Sequence, residues 1–260
     1  MGGMRIVLLV VLAAAAQITV PADGIREAER AIARADAEAI RHLGDQIAGS
    51  DIDGRVLDRV ATLGALHAGE LGEDLDVRSI APNAALAVGT RRDTTSGTAT
   101  RFLHVWIKGD TSWHLSAFHE TVVSVAGEGH ARIVEAPLKD SILASTATGV
   151  EGEVLDAERE RRNVFAAQSA QRYEQLASAN YVAILVNGIV HDRAARAVAV
   201  TKHSPYDTSN VVVEVYGSVA IVRAAQTDDH GPMRVTRVWV RQSERWIVAA
   251  HAGTLVARSR

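Results

Sequence analysis

The residues best suited to chemistry crowd around two tryptophans. Arg101-Phe-Leu-His104-Val-Trp106 leads through a polar turn into Trp113-His-Leu-Ser-Ala-Phe-His119. With Gly109-Asp110 as a two-residue turn, Trp106 faces Trp113. Strand alternation then puts His104 and Trp106 on the face that also carries Trp113 and His119. Such a face is a candidate ligand-binding surface, two indoles for apolar contact and two imidazoles for polar contact. The competing explanation is an ordinary cross-strand aromatic pair. A metal site is not expected: His114 points away from His104 and His119, cysteine is absent, and no H-E-x-x-H pattern occurs. A second set is Tyr181 with Asp192 or His191, which could pass a proton as general acid and base. Core packing of Tyr181 competes with that reading. Asp58 and Asp192, each followed by Arg, also suit helix N-caps. The run Glu158-Arg-Glu-Arg-Arg162 reads as a solvated helix face with an i,i+4 pair between Glu158 and Arg162. Neither a nucleophile elbow nor a Gly-rich phosphate loop is present, so no cofactor is expected.

Composition narrows the classes further. The 260 residues are 47% hydrophobic and 23% charged, an ordinary globular balance. The absence of cysteine removes disulfides, thiolate catalysis and zinc fingers. A net charge of -3 argues against a nucleic-acid partner. Residues 1–16 read as a signal peptide: Arg5 precedes an apolar run from Ile6 to Ala16, which is shorter than the roughly 20 residues a membrane span needs. Cleavage between Ala16 and Ala22 would release a periplasmic or secreted protein with no stable membrane anchor.

Positioning those residues is the task of a repeated unit. Val105-Trp106, Trp113, Ala117 and Thr121 recur as Val238-Trp239, Trp246, Ala250 and Thr254, each 133 residues later. Asp53-Gly54-Arg-Val56-Leu-Asp58-Arg59 returns as Asn187-Gly188-Ile-Val190-His-Asp192-Arg193. Glu27-Ala28-Glu29-Arg30 returns as Asp156-Ala157-Glu158-Arg159. Three anchors in one order imply a tandem duplication. Trp239 and Trp246 thereby join the candidate ligand contacts, although Arg237 and Ala252 replace the two histidines. The pattern divides the chain into a first domain at 23–125, a linker at 126–150 and a second domain at 151–258. Helical periodicity predicts long helices over Gly24–Ile47 and Glu151–Ala179, then a turn and a short helix. Strands are predicted at Leu75–Ala81, Ala84–Arg92, Ala99–Lys108 and Ser112–Val125. Their counterparts are Asn210–Tyr216, Ser218–Gln226, Met233–Gln242 and Arg245–Val256. Helices followed by an antiparallel meander make the fold class α+β.

The order of these elements and the closing Val-Trp…Trp…Thr hairpin resemble the nuclear transport factor 2-like superfamily, in its SnoaL-like and domain of unknown function 4440 groups. Asp36, Gly54, Val56, Asp58, Arg101, Trp106, Trp113 and Thr121 carry the likeness in the first copy. In the second, Gly188, Val190, Asp192, Arg193, Trp239, Trp246 and Thr254 do. The resemblance implies two cone-shaped α+β barrels, each a curved antiparallel sheet wrapped round helices with one internal pocket. It also implies pairing through outer sheet faces, here within one chain as a pseudo-dimer. The superfamily hosts binding proteins, non-catalytic members and cofactor-free cyclases, isomerases, dehydratases and hydrolases, so fold does not choose among them. The leading expectation is an exported protein that binds a small apolar molecule or serves as an accessory scaffold. An acid–base enzyme and a protein-interaction module are the alternatives. The second copy, which holds all four tyrosines, is the expected ligand site.

Overall fold

Left-handed backbone at Ala35 (φ 51°) and Gln168 (φ 49°) divides both stretches expected as single long helices. The computed structural model describes residues 22–65, 69–124, 142, 146–203, 205–228 and 231–256. The expected signal peptide at 1–16 lies outside the described residues, as does most of the expected linker at 126–150. In the first half, α1 (Ala22–Arg34) stops at Ala35. Asp36 Oδ1 then accepts from the Glu38 and Ala39 amides at 3.0 and 3.2 Å, ahead of the short α2 (Ala39–His42). The chain leaves α2 directly into a strand, β1 (Leu43–Ser50). The second half repeats this with α4 (Gly149–Ala166), α5 (Ala170–Leu176), capped by Ser169 Oγ, and β8 (Ala177–Ile184). Helix-favouring residues such as Ala48, Ala177 and Ala183 disguise both strands. Their partner is distant in sequence: β1 runs parallel to β7 (Trp113–Val122), and β8 parallel to β13 (Arg245–Leu255).

The remaining elements obey local signals. Gly54 and Gly188 hold φ of 72° and 78° in the expected turns. After β2 (Val56–Leu57), Asp58 Oδ1 accepts from the Ala61 amide at 2.9 Å and starts α3 (Arg59–Ala65). After β9 (Val190–Asp192), Asp192 Oδ1 accepts from the Ala195 amide at 2.8 Å and starts α6 (Arg193–Val200). The first meander comprises β3 (Gly69–Leu71), β4 (Asp76–Ala81), β5 (Ala84–Asp93), β6 (Ala99–Lys108) and β7. The second comprises β10 (Asp207–Tyr216), β11 (Val219–Asp228), β12 (Gly231–Gln242) and β13. Among the described residues the first sheet is ordered β2-β1-β7-β6-β5-β3, with β4 also on β5. The second is ordered β10-β11-β12-β13-β8-β9.

One irregularity in each hairpin decides which side chains share a face. Residues 109–112 form the first loop, so Lys108 faces Trp113 and Trp106 faces Leu115. Val105 then faces Ala117, which makes Ser116 an extra residue. The same bulge recurs at Ala249, between the pairs Trp239 with Val248 and Val238 with Ala250. Side chains beyond a bulge change face. Leu115 and Phe118 therefore join Phe102 and Trp106 under the helices. Ala117 instead joins Leu103 and Val105 on the outer face, where His119 pairs with Leu103.

The two outer faces bury one another. Leu86, Leu103, Val105 and Ile107 pack with Val182, Val219, Ile221 and Val238 in one cluster. Hydrogen bonds across this seam are reciprocal: Thr121 Oγ1 donates to Gly253 O at 2.9 Å, and Thr254 Oγ1 to Glu120 O at 2.5 Å. His119, fully buried, sits at the centre, with Nδ1 at 3.0 Å from Thr236 Oγ1 and Nε2 at 3.0 Å from Thr254 Oγ1. Desolvation pushes its pKa down from 6.5 to about 3. The imidazole is therefore neutral in the folded protein and binds its proton only after unfolding. Below pH 6.5 the unfolded chain takes up more protons than the native one, so stability falls as the pH falls. Urea unfolding should show this site contributing about 1–2 kcal/mol to the loss between pH 6.5 and 5. In His119→Gln that part of the pH slope should disappear; an unchanged slope would remove His119 as its source.

Candidate ligand cavities

Buried carboxylates organise the interior of both halves. On α1, Ile25, Ala28, Glu29 and Ile32 form the face turned to the sheet. Glu29 is 1% exposed, and a carboxylate there is costly unless its oxygens are hydrogen-bonded. Strand β6 supplies the donors from two positions on the same side. Trp106 Nε1 donates to Glu29 Oε1 at 2.7 Å, and His104 Nδ1 lies 2.9 Å from Oε2. The second half builds the same cluster with one change. Trp239 Nε1 donates to Glu158 Oε1 at 2.7 Å, and Arg237 Nη1 to Oε2 at 2.9 Å. Glu158 is thus not on a solvated helix face, and no i,i+4 pair with Arg162 forms, because the carboxylate is needed inside. Neither glutamate stands out in the sequence as a site residue. The usable signal is the Glu29–Glu158 correspondence within the third repeat anchor, at helical spacing from apolar neighbours.

A cavity of about 160 Å³ opens beside the first cluster. Ile32, Leu43, Leu57, Leu115 and Phe118 give it apolar walls, and His104 is part of the lining. With Glu29 accepting at Nδ1, the neutral tautomer of His104 that this pairing selects carries its hydrogen on Nδ1 and leaves Nε2 as the acceptor. Nε2 has no partner among the described residues. Polar groups line the same cavity: Asp51 accepts from the Asp53 and Arg55 amides and from Arg55 Nε, while Arg91 pairs with Glu120 at 2.7 Å.

The second half has a cavity at the matching place, about 210 Å³, lined by Leu185, Arg196, Gln226, Met233 and His251 among others. Each corresponds to a first-cavity residue: Asp51, Thr62, Arg91, Thr100 and Phe118. Deeper in this half, Tyr173, Tyr181, Tyr206 and Phe165 fill the space under the helices.

The expected site residues separate accordingly. His104 lines the first cavity, but His119 is on the opposite sheet face because of the bulge at Ser116. The ligand-contact reading of the tryptophans is corrected too: none of the four lines either cavity. Trp106 and Trp239 are fully buried on their glutamates, Trp246 Nε1 donates to Glu153 at 3.1 Å, and Trp113 packs at the core edge. The acid–base set is not assembled. The Tyr181 hydroxyl accepts from Tyr173 at 2.7 Å, and burial followed by Tyr173 raises its pKa well above 10.0. Asp192 is an exposed cap, and His191 is half-buried on β9, its pKa lowered by desolvation and then by Arg196. Among the described residues no group of three or more His, Asp or Glu is arranged to hold a metal ion.

Each half is a curved sheet closing over its helices, with its first strand parallel to its last. Both halves share this one α+β architecture. Solved structures similar to this chain include a nuclear transport factor 2-like protein from Cytophaga hutchinsonii, at 16% identity and TM-score 0.39, covering 42% of this chain and 99% of that one. Another, from Rhodospirillum rubrum and of unknown function in nutrient uptake, has 20% identity and TM-score 0.34, covering 39% and 97%. A cystatin-like fold protein from Burkholderia xenovorans has 20% identity and TM-score 0.36, covering 42% and 92%. No family model and no curated protein matches the sequence. No helix among the described residues is long and apolar enough to cross a membrane.

Proposed function

We propose that this protein binds a small, mostly apolar molecule in its first nuclear transport factor 2-like cone. The carrying observation is the cavity in which apolar walls from Ile32, Leu43, Ile52, Leu57, Leu115 and Phe118 meet polar lining groups that include one unpaired imidazole nitrogen, His104 Nε2. Apolar lining with a few placed polar groups is the usual make-up of a ligand site. A cavity of about 150 Å³ accepts a benzene-sized molecule, so the ligand is of one-ring size with a hydrogen-bond donor for Nε2. The N-terminal signal reading supports binding outside the cytoplasm, and the sheet-to-sheet seam supports an intrachain pseudo-dimer. Because the outer faces are spent on that seam, the interaction-module reading loses the surface it required. One observation favours a catalytic version: a buried carboxylate holding Nδ1 while Nε2 meets a cavity is how a general base is oriented.

Ligand-observed NMR with phenol- and aniline-sized fragments tests the proposal. Donor-bearing fragments should bind the wild-type protein and bind at least about tenfold more weakly to His104→Gln, a loss of about 1.4 kcal/mol. Equal binding by both proteins would overturn the site. Conversion of a fragment, lost in the same variant, would select the catalytic version.

A further inference from the structure

The second cone carries more buried positive charge than its own acids balance. Arg161, Arg196 and Arg237 are 1%, 5% and 0% exposed, whereas Glu158 is the one buried carboxylate among the described residues of that half. Glu158 is engaged by Arg237 and Trp239. Arg161 reaches the Tyr206 hydroxyl, at 2.5 Å, and lies over the rings of Phe165 and Tyr206, 4.5 and 5.3 Å from their centroids. Arg196 Nη1 meets His203 Nε2 at 3.1 Å. The Nε atoms of all three arginines and Nδ1 of His251 are buried without a partner among the described residues. Unpaired buried cations are expensive, and a bound anion would offset that cost.

Arg196 and His251 both line the 210 Å³ cavity, and Gln226 in the same wall accepts from Arg237 Nη2. The charge therefore reaches the cavity directly through Arg196 and one side chain behind the wall through Arg237. Leu185, Val186 and Met233 give the lining apolar surface, beside Asn187 and His203. Asp228 is the acid in the lining and is itself engaged. Guanidinium donors suit a carboxylate, and the apolar remainder suits a short hydrocarbon chain better than the fully hydrophilic surface of phosphate. We propose that the second cone is a binding site for a short-chain organic carboxylate, held by Arg196 and His251 with Arg161 and Arg237 supplying the surrounding positive field. This site is separate from the first-cone site and does not depend on it. The two cones would then take ligands of different character from equivalent positions, the exchange of Phe118 for His251 and Thr62 for Arg196 setting the difference.

Isothermal titration of the full chain with acetate, butyrate and inorganic phosphate at matched ionic strength tests this. Butyrate should bind saturably at one site and more tightly than acetate, with phosphate weakest. Arg196→Gln and His251→Phe should each weaken butyrate at least about tenfold, with folding checked by circular dichroism. The second variant places in this cone the residue its partner cone already tolerates, so it remains informative if the first does not fold. Absence of saturable carboxylate binding, preference for phosphate, or affinity unchanged in a folded variant would overturn the proposal.

Discussion

Replacing Glu158 with alanine should destabilise the protein by about 3–5 kcal/mol, the range for breaking a buried ion pair from one side. Arg237 has no solvent to retreat to, since both partners are 0% exposed. Losing the carboxylate also orphans the Trp239 indole N–H and removes the one buried negative charge near Arg161. Glu29→Ala provides the internal comparison, because its partners, His104 and Trp106, can both be neutral. Its cost should be the smaller one of an unsatisfied hydrogen-bond group, about 1–3 kcal/mol. Chemical denaturation of both variants measures the difference. Equal losses would mean that the clusters contribute by packing and that the His104-to-Arg237 exchange carries no electrostatic consequence.

Gly49→Ala should cost about 3 kcal/mol, at the upper end for overpacking, although it adds one methyl group. A Cβ at Gly49 would stand 2.0 Å from the Phe118 carbonyl oxygen and 2.6 Å from its ring. The carbonyl belongs to the β1–β7 pairing and cannot rotate away, so relief requires separating the parallel strands. That separation would also move Phe118, a wall of the first cavity, and fragment binding should weaken with stability. Gly24→Ala is the control. It has open space within 4 Å and lies in α1, so it should be neutral or stabilising by up to about 1 kcal/mol. Thermal unfolding of the pair checks both; a mild effect at Gly49 would show that the strand register is softer than its geometry indicates.

The parts legible in the sequence are those fixed by neighbours along the chain. Alternation marks the meander strands, Gly54 and Gly188 mark the turns, and Asp58 and Asp192 declare the short helices they cap. The duplication is legible because the hairpins keep their tryptophans at constant spacing. The features that escape are decided by distant partners. Leu43–Ser50 and Ala177–Ile184 become strands because the last strand of each sheet offers an open edge, against their local helical composition. Ser116 carries no composition mark of a bulge, yet it moves His119 from the ligand side to the seam. Glu29 and Glu158 look like surface charges on alanine-rich helices until the indole donors beneath them are seen. The same limit applies to chemistry: the tyrosines that draw attention to the second cone are the residues that fill it.

The central claim is that the first cone takes a ligand at His104. The most direct measurement is a crystal structure of the chain soaked with the tightest phenol-sized fragment from the NMR screen. The account requires density between Leu115, Phe118 and His104, with the fragment's donor within hydrogen-bond distance of Nε2. A fragment found elsewhere, or a first cavity closed by its own side chains, would contradict it.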